Sequence, residues 1–150
     1  MTVLLWCGTA AVCLFAASTV AGGADDELRR FLRWAGVVTL VLTFDDLFML
    51  HEHLLEGRVR YGELIVLALD LSIVLAWAVR FRSILLRRMD VVLAVAVTAF
   101  GVSLGVDLLS GHVVWPSTLL VEDGAKLLGV ASWMFFLVRT ARDAVAQSGV

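Results

Sequence analysis

Phe44-Asp45-Asp46-Leu47-Phe48-Met49-Leu50-His51-Glu52-His53 places five ionisable side chains near the end of a run, 34–54, that is otherwise mostly apolar. Read as a helix, the stretch puts Asp45, Asp46, Met49, Glu52 and His53 on one arc, with His51 nearly opposite. A run of this length crosses a hydrocarbon layer of about 30 Å, and it has counterparts at about 3–21, 61–79, 91–110 and 118–138. The expected fold is therefore all-α, an integral membrane bundle of five transmembrane helices using residues 1–150 as a single domain. Composition agrees: 61% of the 150 residues are hydrophobic, 17% are charged, and one is proline. The mean hydropathy is +0.94, outside the range of soluble domains. A net charge of -2 offers no basic surface for a row of phosphates, which excludes an electrostatic nucleic-acid binder.

Arginines orient the bundle. Arg29, Arg30, Arg33, Arg80, Arg82, Arg87, Arg88, Arg139 and Arg142 fall on one side, against Arg58 and Arg60 on the other. The positive-inside rule then puts the N-terminus outside and the C-terminus in the cytoplasm. The first run is read as an uncleaved helix: Thr19-Val20-Ala21 offers small residues for cleavage, but no positive charge precedes the apolar stretch. Asp25 to Trp34 reads as a short interfacial helix, with arginines toward headgroups and Phe31 and Trp34 at the boundary. Phe81 to Met89 repeats that character. Gly101 and Gly105 form a GxxxG expected to let another helix approach. Cys7 and Cys13, six apart, form no CxxC and read as buried free thiols.

The remaining polar residues gather on the outer side. Counting from Trp34, Asp45 lies roughly 17 Å along its helix, near the bilayer midplane, and Glu52 and His53 lie near the outer surface. Glu63 and Asp70 share one face of the third run, Asp107 and His112 close the fourth, and Glu122, Asp123 and Lys126 open the fifth. The outer half holds nine acids, these together with Glu56, against Arg58, Arg60 and Lys126. A mid-bilayer carboxylate costs about 2.5 to 3.5 kcal/mol, so such a surplus calls for protonation, water or a bound cation. The expectation is an outward-facing acidic cavity with Asp45, Asp46, Glu52, His53, Asp70 and Asp107 as candidate metal ligands. His51, Glu63, His112, Glu122, Asp123 and Lys126 would line its remainder.

Val121-Glu122-Asp123-Gly124-Ala125-Lys126-Leu127-Leu128-Gly129, paired with Phe44 to Glu52, resembles signatures of uncharacterised bacterial multi-pass membrane proteins. The resemblance covers about an eighth of the chain. It implies a bacterial cytoplasmic (inner) membrane location and groups Asp45, Asp46, His51, Glu52, Glu122, Asp123 and Lys126, but implies no activity. Three functions follow as expectations: a cation or proton site in transport or sensing; a membrane-embedded divalent-metal enzyme acting on a lipid or lipid-soluble substrate; or an accessory subunit, in a homo-oligomer or beside a larger membrane protein. The ligand set does not choose the metal: mixed oxygen and nitrogen donors suit Zn, Mn or Fe, and acids alone suit Ca or Mg. Alkaline-ceramidase-type membrane hydrolases resemble seven-helix proteins with three histidines on zinc, and this chain has neither HxxxH nor SxxxH.

The arginine distribution makes orientation testable. Fluorescent protein fused after Val150 should be bright and alkaline phosphatase fused there inactive; the opposite pair of results would reverse the topology.

Overall fold

The computed structural model describes residues 2–20, 26–48, 62–110 and 116–148. Among them every regular element is a helix: α1 (Thr2–Thr19), α2 (Asp26–Phe48), α3 (Gly62–Arg80), α4 (Arg82–Arg88), α5 (Val91–Ser110) and α6 (Pro116–Gln147). One of these, α1, is long and apolar enough to cross a membrane, or two spans exist if α4 and the start of α5 count as one broken span. The chain divides into two compact units, 1–88 with 137–150, and 89–136.

The first unit is built on an antiparallel hairpin of α1 and α2. Trp6, Thr9, Ala10, Cys13, Ala16, Ala17 and Val20 are buried at helical spacing, as are Leu28, Leu32, Ala35, Thr39 and Thr43 on α2. Most of these side chains are small, so the two backbones come close. A Cβ added at Gly36 would stand 2.8 Å from Leu14 Cγ and 3.3 Å from the carbonyl oxygen of Ala10. The hydroxyls within this seam are satisfied locally: Thr9 donates to the carbonyl of Leu5 and Thr43 to that of Thr39, each at 2.6 Å.

Several expectations change here. The stretch expected as a separate interfacial helix is the first part of α2, which runs unbroken from Asp26 because acidic Asp26 and Glu27 suit its N-terminus and Asp26 pairs with Arg29 at 2.8 Å. Phe31 is fully buried instead of sitting at a boundary. Its ring lies 5.1 Å from Trp77 and meets Phe81 edge-on at 5.6 Å, which fastens α2 to α3. Trp34, three residues on, is exposed. Cys7 is exposed and only Cys13 is buried; both are free thiols.

Between α3 and α4 the chain turns at Phe81, whose carbonyl accepts from the amides of Ile84 and Leu85. The last helix continues about nine residues past the expected end near residue 138. Leu137, Thr140, Ala141 and Ala144 keep a buried stripe going, while Arg139 and Arg142 stand exposed on the helix. Asp143 on this segment meets Arg88 at 3.3 Å.

In the second unit, Asp90 caps α5 by accepting from the amide of Leu93 at 3.0 Å. Gly129 on α6 meets the Phe100 ring so closely that a Cβ would lie 2.8 Å from it. At the expected GxxxG seam, a Cβ at Gly101 or Gly105 meets nothing within 4 Å among the described residues.

Overpacking a tight contact costs about 1 to 3 kcal/mol, so Gly36→Val and Gly129→Val should lower unfolding stability in detergent by that order. Gly101→Ala and Gly105→Ala should be neutral or gain up to about 1 kcal/mol of helix propensity. Equal losses at all four positions would misplace the seams.

Candidate functional site

The α1–α2 hairpin decides the level at which the acidic pair stands. Thr2 Oγ1 donates to Asp46 Oδ2 at 2.8 Å, so Asp46 is level with the first turn of α1. Ala10, near the middle of that helix, is level with Gly36. Asp45 and Asp46 therefore sit at the end of the hairpin and not at its middle, because α2 starts eight residues before Trp34, the origin used for counting. Both are half-buried, and Asp45 Oδ1 is shielded from solvent.

On its other side α2 lies antiparallel to α3, and an open cleft of about 580 Å³ runs between them. Arg30, Arg33 and Arg80 stand at one end, and Val41 and Ile73 are its farthest lining residues from that end. Asp45 is one helical turn beyond Val41 and Asp70 nearly one turn beyond Ile73, so neither carboxylate is part of the lining. The cleft thus has a basic end, and the rest of its lining is apolar. Asp70 is half-buried, and Asp45, Asp46 and Asp70 each have interaction partners.

The other predicted residues are distributed as follows. Asp123 and Lys126 lie one turn apart on α6 in the second unit, exposed and half-buried respectively. Asp107 is on α5, Glu63 on α3 and Glu122 on α6, but their side chains fall outside the described residues. His51, Glu52, His53, Glu56 and His112 lie outside the described residues altogether. Among the described residues no three His, Cys, Asp or Glu side chains are grouped to hold a metal ion.

The basic end of the cleft did not figure among the predicted sites, although its signal is present in the sequence. Arg30, Arg33, Val37 and Val41 recur at helical spacing, as do Ile73, Trp77 and Arg80. Reading those arginines as topology markers and as headgroup contacts of an interfacial helix left out the apolar stripe they terminate.

A helical protein with an acidic pair at the end of a tight hairpin and a polarised cleft beside it is the class that this geometry defines. The chain belongs to the family described as a domain of unknown function, DUF8692, whose model matches residues 1–140. No curated protein and no solved structure matches it.

The bond between Thr2 and Asp46 should show as coupling. In a Thr2→Val/Asp46→Asn double-mutant cycle read by unfolding in detergent, about 1 kcal/mol of interaction is expected. Strict additivity would mean that the hydroxyl does not hold the carboxylate.

Proposed function

We propose that the chain is a five-span protein of a bacterial cytoplasmic membrane, N-terminus outside, whose outer end binds a cation or proton for transport or sensing. The membrane reading is supported by large apolar side chains left on the surface, including Leu4, Phe15, Ile65, Val79, Val91 and Leu120. So broad an apolar exterior is uncommon on monomeric soluble proteins. Hydroxyls that bond back to their own helix, such as Ser72 to the carbonyl of Ala68, suit a medium that supplies no hydrogen bonds.

The observation that carries the binding reading is the placement of Asp45 and Asp46. They are adjacent and half-buried, and Asp46 accepts a hydrogen bond from Thr2. Adjacent carboxylate oxygens are suited to hold a hard cation, or a proton in its place. A divalent metal held by this pair would need further donors, and Glu52 and His53 are the nearest in sequence to supply them.

Protons compete with a metal for the same oxygens, so binding should strengthen as pH rises and weaken as it falls. Thermal scans of detergent-purified protein against Zn, Mn, Fe, Ca, Mg and Na at two pH values provide the test. A bound ion at about 100 times its Kd should add about 2.7 kcal/mol of stability. The gain should be smaller at the lower pH and absent in Asp45→Asn/Asp46→Asn. Stabilisation by none of these ions, or equal stabilisation in the variant, would overturn the cation reading.

A further inference from the structure

We infer that the cleft between α2 and α3 is a binding site for one anionic phospholipid, with its phosphate on Arg30, Arg33 and Arg80 and an acyl chain along the apolar wall. This rests on the membrane reading above but not on the acidic site.

Charge comes first. Three guanidinium groups from two helices share one end of the cleft. Asp26 makes its shorter contact, 2.8 Å, with Arg29 and a longer one, 3.7 Å, with Arg30. Among the described residues no carboxylate is ion-paired with Arg33 or Arg80; the Arg80 guanidinium lies 5.3 Å over the Phe81 ring. Planar, weakly hydrated guanidinium forks match phosphate oxygens, and basic pockets between membrane helices on the cytoplasmic side suit lipid headgroups. The arginine distribution puts this end on that side.

The wall decides between a lipid and a soluble anion. From Arg33 to Val41 the α2 side of the cleft is about 12 Å long and apolar beyond Trp34. Val37 and Ala76 are exposed, so a hydrocarbon chain can enter from the side without any helix moving. An inorganic anion would leave this surface unused, and a neutral lipid would leave the arginines unused. The volume, about 580 Å³, lies within the range of ligand sites.

The test titrates full-length protein in neutral detergent with phosphatidylglycerol or phosphatidylcholine of identical chains and counts retained lipid by native mass spectrometry. Phosphatidylglycerol should bind at least about 10-fold more tightly. Arg30→Gln/Arg33→Gln/Arg80→Gln should weaken it about 100-fold, whereas Arg82→Gln/Arg87→Gln/Arg142→Gln removes equal charge outside the cleft and should bind like the native chain. Ala76→Trp fills the wall, leaves the charges in place, and should weaken the lipid as well. If the triple cleft variant fails to fold, Arg33→Gln and Ala76→Trp decide the matter in its place. Equal affinity for the two lipids, or equal loss in both triple variants, would overturn the proposal. So would inorganic phosphate stabilising the protein as well as phosphatidylglycerol does, since that marks a free-anion site. Protein recovered soluble without detergent would remove the membrane reading and this proposal with it; protein that needs detergent yet shows no lipid preference removes this proposal alone.

Discussion

The close approach of α1 and α2 at Gly36 is the constraint on which the first unit depends. Two helices approach this closely only where the intervening side chains are small, and the seam supplies Thr9, Ala10, Cys13, Ala16 and Ala17 against Ala35, Gly36, Thr39 and Thr43. The contact fixes the stagger of the pair, and the stagger brings Thr2 to Asp46. It also sets the rotation of α2. With one stripe committed to α1, Phe31 is left for Trp77 and Phe81, and Trp34, Val37 and Val41 for the cleft wall.

The cleft therefore inherits its polarity from two antiparallel helices whose charges lie at particular ends. Arginines from the start of α2 and the end of α3 line the same end of the cleft because the helices run in opposite directions. Parallel packing would have placed Arg33 beside Asp70 and produced an ion pair in place of a binding surface.

The C-terminal part of α6 shows a related economy of charge. Arg88 follows the short helix α4 and meets Asp143, with both side chains about a third exposed or less, while Arg142 reaches Asp143 from the solvent side. A pair this exposed contributes on the order of 1 kcal/mol at most.

Much of this was legible from residue order alone. Apolar runs at helical length gave helices at 2–19, 62–80 and 91–110 to within a residue or two, because length and periodicity are local properties. The concentration of acids around Asp45 was equally plain. Helix ends were less so: α2 begins at Asp26 and α6 continues to Gln147 because charged residues can extend a helix wherever one face stays apolar, and a hydropathy reading stops at the charges. What tertiary structure alone decided is who meets whom. Gly101 and Gly105 carry the familiar spacing, yet a Cβ there meets nothing within 4 Å among the described residues, while Gly36, with no such motif, sits at a contact. Arg33, read from the sequence as a topology marker and headgroup contact, lines one cleft with Arg30 and Arg80 only because α3 packs on α2. Composition and period determine that a segment is a helix and which of its faces is apolar; the partner of that face depends on stagger and rotation, which arise from side-chain volumes on two segments at once.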